Sequence, residues 1–272
     1  MNRRRLIQLS LMSALAPCTD ALGERLVSAS KKKGIGIGLR SDLWKEKLQS
    51  LRCKWFYAWV AGVPDGVPHG VEYIPMIFRD WGKPEMIAKA GAQAKAAGIR
   101  ELLGFNEPDH AKQGNMSVEQ ALATWPLLEK TGLRLGSPGC VHPDNEWMES
   151  FMKAAKKQKL KIDFVCVHSY GSDNAAALVK RLEKIYQLYE KPVWITEFAV
   201  GDWNAKSVDA NRYKPDAVLK FMEDILPKLE RLDFVERYAW FPARTENPAL
   251  GTSALFDGNG ELTKLGECYR DA

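Results

Sequence analysis

An irregular (β/α)8 TIM barrel is the fold this sequence predicts, and three observations predict it. Short apolar runs rich in β-branched and aromatic residues recur along the 272-residue chain. Amphipathic segments with helix start and stop signals lie between them. From the fourth run to the seventh the repeat is about 30 residues, close to a barrel's ~250 residues divided by eight. A chain that is 46% hydrophobic and 27% charged can bury a full core, which excludes disorder and disulfide miniproteins. The net charge is only +5, with Arg3, Arg4 and Arg5 clustered at the N-terminus, so nucleic acid is not an expected partner. A doubly wound open sheet is the alternative architecture.

Residues 1–23 are expected to be an export signal peptide outside the barrel. Arg3 to Arg5 supply a basic n-region, a moderately apolar stretch follows to Ala16, and Ala21 and Gly23 are the small residues that favour cleavage after Gly23. Arg3-Arg4-Arg5-Leu6-Ile7 fits the twin-arginine route as well as the general secretory one. A short amphipathic helix is the other reading of this segment. Cys18 follows Pro17 where a lipoprotein signal wants a small residue, which argues against a lipid anchor. Residues 24–272 then form a single domain, secreted or periplasmic, with no stretch apolar enough to span a membrane.

After the basic tract at Lys31 to Lys33, the runs begin near Ile35, Trp55, Tyr73, Leu102, Leu133, Phe164, Val193 and Val235. In the first, Gly34, Gly36 and Gly38 leave one face bare for close packing. Pro64, Gly66, Pro68 and Gly70 separate the second run from the third, so a loop replaces a helix there. Pro84 opens an alanine-rich helix to Ala97, with Gly98 as its stop. Segments 117–129, 145–159, 174–189 and 215–232 also have helical spacing. Cys53, Cys140, Cys166 and Cys268 show no Cys-x-x-Cys spacing, so zinc is not expected, and their pairing stays open.

In a barrel the chemistry lies at the C-terminal ends of the strands. The fourth run ends in Asn106-Glu107, stopped by Pro108, and simple alternation puts Leu103, Phe105 and Glu107 on one face. The seventh ends in Thr196-Glu197-Phe198, with Glu197 on the face of Val193 and Ile195. One isolated glutamate of this kind is more often a structural ion pair or a helix cap. Two on one rim match the needs of acetal hydrolysis, a proton for the leaving oxygen and negative charge at the anomeric carbon. In the sixth run His168 and Tyr170 share a face with Phe164 and Cys166, and their structural alternative is a satisfied core histidine and a packing tyrosine. Trp59 and Trp240, near the ends of the second and eighth runs, could stack on a sugar ring, although aromatic stripes usually pack in cores. Trp81 and Trp203, in loops after strands, are weaker choices. The four histidines form no metal spacing, Ser137 lies outside any Gly-x-Ser-x-Gly elbow, and Asp257-Gly258-Asn259-Gly260 is a turn with no glutamate at calcium-loop distance.

Asn106-Glu107-Pro108 and Trp194-Ile195-Thr196-Glu197-Phe198 resemble the acid/base and nucleophile motifs of clan A retaining glycoside hydrolases. Leu103 to Asp109, Gly136-Ser137-Pro138, Ile162 to Gly171 and Arg237 to Phe241 together are similar to glycoside hydrolase family 128, over roughly residues 35–255. The resemblance implies an endo-acting, retaining β-1,3-glucanase with Glu107 as acid/base and Glu197 as nucleophile. It also implies that Asn106 hydrogen-bonds at the sugar's 2-hydroxyl. The expected substrate-binding set is Asn106, His168, Tyr170, Trp59 and Trp240, with no metal and no cofactor, in a monomer whose partner is β-1,3-glucan. The alternatives are a glycosidase for another β-linked glucan or mannan, and a glucan-binding protein without activity.

Overall fold

The computed structural model describes residues 30–40 and 43–272. The export segment, its cleavage site and Cys18 lie outside the described residues. Within these described residues eight strands follow in chain order: β1 (Lys33–Gly36), β2 (Trp55–Tyr57), β3 (Glu72–Tyr73), β4 (Glu101–Leu102), β5 (Arg134–Leu135), β6 (Val165–Gly171), β7 (Val193–Val200) and β8 (Val235–Trp240). Among the described residues, seven α-helices accompany them: α1 (Trp44–Ser50), α2 (Pro84–Ala96), α3 (Val118–Glu129), α4 (Glu146–Gln158), α5 (Ala175–Tyr189), α6 (Pro215–Arg231) and α7 (Lys264–Asp271). All eight expected runs are strands, and no helix separates β2 from β3. The short α1 and the late α7 are additions to the helices that spacing alone predicts.

Local chemistry accounts for the helix starts. Pro84 and Pro215 occupy first turns, where the missing N–H costs nothing. Ser117 and Gln120 close a capping box on α3, while Asn145 and Asn174 accept the N–H groups of Met148 and Ala177.

The strands close a ring of parallel neighbours. Six form one sheet in the order β3-β2-β1-β8-β7-β6, and β4 pairs with β5. Single bridges from Met76 to Leu103 and from Gly136 to Phe164 join the two sheets, so the open doubly wound alternative does not hold. Closure through isolated bridges rather than full ladders makes the barrel irregular on its β3–β5 side.

Two apolar layers result. Trp55, Tyr57, Ile74, Met76, Leu103, Phe164, Cys166, Trp194 and Ala239 fill the barrel interior, and a larger cluster packs the strands against the helices. A Cβ at Gly34 would lie 2.3 Å from the Trp55 ring and one at Gly36 2.8 Å from Trp59, so the bare face of β1 is occupied by aromatics of β2 and the residues just past it. Burying an aromatic side chain of this size contributes about 4–6 kcal/mol. At the floor, Arg237 lies over Trp194 at 4.4 Å and Arg134 over Phe164 at 5.0 Å, and Glu236 accepts from both Arg134 and Trp194. Lys33, fully buried at the start of β1, donates to the carbonyls of Tyr269, Arg270 and Ala272 at 2.7, 2.8 and 2.6 Å, which fastens α7 to the barrel. Among the described residues no helix is long and apolar enough to cross a membrane.

Candidate active site

The two glutamates reach the barrel mouth by departures from regular strand geometry. Along β7, Val167 of β6 pairs with Ile195 but His168 pairs with Glu197, and on the other side Ile195 pairs with Tyr238 but Phe198 with Trp240. This bulge at Thr196 changes the parity of the strand. Trp194 points into the barrel, Val193 and Ile195 face the helices, and Glu197 turns inward again while Phe198 joins the outer layer. Glu197 therefore does not share the face of Val193 and Ile195, as uninterrupted alternation would require.

β4 departs in a second way. Leu103 lies in the barrel interior, whereas Phe105 packs outward, edge-on to Trp125 of α3 at 5.7 Å. Leu103, Phe105 and Glu107 thus do not form one face. Glu107 adopts φ +39°, a left-handed conformation uncommon for a residue with a Cβ, held by its N–H bond to the Gly139 carbonyl at 2.8 Å.

The carboxylates occupy different surroundings. Glu197 Oε1 accepts from the Tyr57 hydroxyl at 2.9 Å and from Trp59 Nε1 at 2.8 Å, and its Oε2 accepts from the Tyr170 hydroxyl. Three donors aimed at one carboxylate suit an acceptor that carries charge. Burial and the Glu197 charge push both phenols well above the usual tyrosine range, so each stays protonated. Glu107 instead has His168, whose Nδ1 lies 3.1 Å from Oε1. His168 is fully buried, and its Nε2 stands 3.6 Å from Glu197 Oε1, beyond hydrogen-bond reach and without another partner. Burial opposes charge on the imidazole, but Glu197, the bond to Glu107 and the nearby Asp109 outweigh it and hold His168 above the usual histidine range.

One oxygen of each glutamate and one nitrogen of His168 all lie within 4.8 Å of one another. These three groups are also the donor set among the described residues that could ligate a metal ion. A cleft of about 790 Å³ opens above them, lined in part by Trp59, Phe78, Asn106, Tyr170, Trp203 and Phe241. A second depression of about 810 Å³ on the β1 and β8 side shares Trp59 and Phe78, so it adjoins the cleft there.

Of the expected residues, Glu107, Glu197, Asn106, Tyr170 and Trp59 line this cleft. His168 lies behind the glutamates, with its side chain closed to solvent, so it meets the acids rather than a sugar. Trp240 is a correction. It is fully buried, its Nε1 donates to the Ser253 carbonyl at 2.9 Å, and its ring meets Phe198 at 4.9 Å, which places it in the outer layer. The next residue, Phe241, takes the cleft position and contacts Trp59 and Tyr170 at 5.9 and 5.4 Å. Tyr57 stands two residues before Trp59, but alternation does not distinguish a core tyrosine from one bonded to a carboxylate. The four cysteines from Cys53 onward are free thiols.

Comparison with known proteins agrees with this geometry. Residues 34–269 match the family model described as glycosyl hydrolase catalytic core. Alkali-sensitive linkage protein 1 of Schizosaccharomyces pombe is 30% identical over 254 residues, and the match covers 89% of this chain and 45% of that protein. The chain thus spans about half the length of that relative. Among solved structures, a subgroup I endo-β-1,3-glucanase from Amycolatopsis mediterranei, in complex with laminaripentaose, is 33% identical with a TM-score of 0.76, covering 89% of this chain and 99% of its own. A subgroup II endo-β-1,3-glucanase from Sorangium cellulosum is 27% identical with a TM-score of 0.73, covering 88% and 97%. A subgroup III curdlan-specific exo-β-1,3-glucanase from Blastomyces gilchristii is 30% identical with a TM-score of 0.69, also covering 88% and 97%. With its catalytic-core match and these three likenesses on one barrel, the chain belongs to glycoside hydrolase family 128.

Proposed function

We propose that this protein is a retaining endo-β-1,3-glucanase, with Glu197 as nucleophile and Glu107 as acid/base. The observation that carries the reading is the closeness of the two carboxylates, whose nearest oxygens approach within 4.8 Å. Retaining glycosidases hold these groups about 5–5.5 Å apart, whereas inverting enzymes leave roughly 6.5–9.5 Å to admit a water.

The surroundings support the division of labour. Glu197, charged and accepting three hydrogen bonds, attacks the anomeric carbon as Glu107 delivers a proton to the leaving oxygen. Glu107 then takes a proton from water, which opens the glycosyl ester on Glu197. Asn106 lines the cleft beside Glu107, and its buried Oδ1 has no protein partner, which fits contact with a sugar hydroxyl. A cleft that adjoins a further depression on the β1 and β8 side supports cleavage within a chain, and the Amycolatopsis and Sorangium relatives are endo-β-1,3-glucanases.

Proton NMR of the first product from laminari-oligosaccharides tests the reading. A β-anomer is expected, and an α-anomer formed first would overturn it. Release of glucose alone from reduced oligosaccharides would replace endo with exo action, the mode of the Blastomyces relative. Export follows from the leader pattern in the same proposal: mature protein should begin near Glu24 by intact-mass analysis, and retention of Arg3 to Arg5 outside the cytoplasm would refute it.

A further inference from the structure

Geometry gives His168 a role of its own. Its ring sits between the carboxylates, with Nδ1 at 3.1 Å from Glu107 Oε1 and Nε2 at 3.6 Å from Glu197 Oε1. Both ring nitrogens are closed to solvent, and Nε2 lacks any hydrogen-bond acceptor at bonding distance. The groups facing the ring are Glu107 and the following Asp109 from the β4 end, Glu197 from β7, and Gly139 from the β5 side. The charged members of this set are all acidic. A Cβ at Gly139 would stand 2.8 Å from Nε2, and the same glycine accepts the Glu107 N–H at 2.8 Å. Glu107 and His168 are therefore positioned by one backbone unit that leaves no room for a side chain.

We propose that His168 is a positioning residue that holds the acid proton of the resting enzyme jointly with Glu107, across the Oε1 to Nδ1 hydrogen bond. This inference rests on the reading of Glu107 as acid/base. Neutral His168 carries its proton on Nε2, directed toward Glu197, and receives the Glu107 O–H at Nδ1. Transfer along that bond gives a Glu107 carboxylate beside an imidazolium flanked by two negative charges. Total proton count is the same in both forms. When the glycosidic oxygen arrives, the proton returns to Glu107, the Glu107 O–H bond breaks and an O–H bond forms on the leaving sugar, and His168 is left neutral. Esterification of Glu197 removes one of the charges that favoured the imidazolium. The carboxylate of Glu107 is then free to take a proton from water, which restores the shared pair.

The consequence is a proton retained to higher pH than a glutamate alone would retain it. If the proton is shared equally, the alkaline limb of the pH–rate profile lies roughly 0.3 unit higher than without the histidine, and about 1 unit higher if nine tenths of it rests on imidazole. His168→Asn keeps a hydrogen-bonding side chain but has no titratable proton, so its alkaline limb should move down by that amount. A purely structural histidine would lower the rate equally at every pH.

The deciding experiment needs no turnover. Nitrogen-15 NMR of the full chain should show His168 as an imidazolium in the resting protein across part of the range between about pH 5 and 8. In Glu107→Gln its titration should move to lower pH, since one flanking charge is gone. Gly139→Ala, which pushes on Nε2 while altering neither carboxyl side chain, should also shift the His168 resonance and its titration. A neutral His168 throughout that range, or a titration unmoved by Glu107→Gln, would overturn the proposal. The anomeric outcome would stand untouched in that case, so the two readings fail separately.

Discussion

The indole N–H of Trp59 donates to Glu197 Oε1 across 2.8 Å, so the aromatic residue nearest the end of β2 is bound to a carboxylate as well as facing the cleft. Its backbone is held at φ +56°, which directs the ring over the barrel mouth from a loop just past the strand. A residue that sequence alone suggests as a sugar platform therefore also positions the proposed nucleophile.

Trp59→Phe keeps a ring and removes that donor. A hydrogen bond to a charged group is worth about 1.5–3 kcal/mol, so kcat/KM on laminari-oligosaccharides should fall roughly ten- to a hundredfold. Initial-rate kinetics on folded variant check this, and an unchanged kcat/KM would leave the 2.8 Å contact without a catalytic role.

Tyr57→Phe and Tyr170→Phe each delete one of the remaining donors to Glu197 and should also cost about tenfold or more in kcat/KM. Burial and the adjacent carboxylate raise both phenols, so neither ionises near neutral pH. Both variants should consequently keep the limbs of the wild-type pH–rate profile. A limb displaced in either one would show that a tyrosine titrates in the reaction.

Trp240 lies away from the cleft, so Trp240→Ala should act on stability. Removing a fully buried tryptophan that touches Phe198, Phe221 and Tyr269 should cost about 3–5 kcal/mol. Urea unfolding measures the loss. Binding of laminari-oligosaccharides to the folded fraction should change little, and a large loss of affinity at full stability would return Trp240 to the sugar site.

Removing the two glutamates should have unequal effects. Glu197→Ala should abolish turnover of every substrate, because no nucleophile remains. Glu107→Ala should still react in its first step with an aryl glycoside bearing a good leaving group, and azide should rescue the second step by attacking the ester without base assistance. Glycosyl azide of retained configuration is the expected product by NMR. Equal residual activity in both variants, with no azide effect, would exchange or dissolve the assigned roles.

Much of the architecture is determined by the sequence alone. β-Branched and aromatic runs locate all eight strands, because a strand flanked by core on both faces needs them. Ser117, Asn145, Asn174, Pro84 and Pro215 mark helix starts through chemistry confined to one turn. Glu107 and Glu197 stand out for the same local reason, as carboxyls placed where an apolar strand ends. Which way side chains face was decided only by tertiary structure. Two-residue alternation holds only along an uninterrupted ladder, and the bulge at Thr196 and the isolated bridges that replace a ladder after β4 each break it. The bulge brings Glu197 inward past an outward Ile195, while in β8 the inward Ala239 leaves Trp240 in the helix layer and gives the cleft to Phe241. Tyr57, His168 and Gly139 acquire their roles from strands joined by barrel closure, contacts that become neighbours only when the chain has folded.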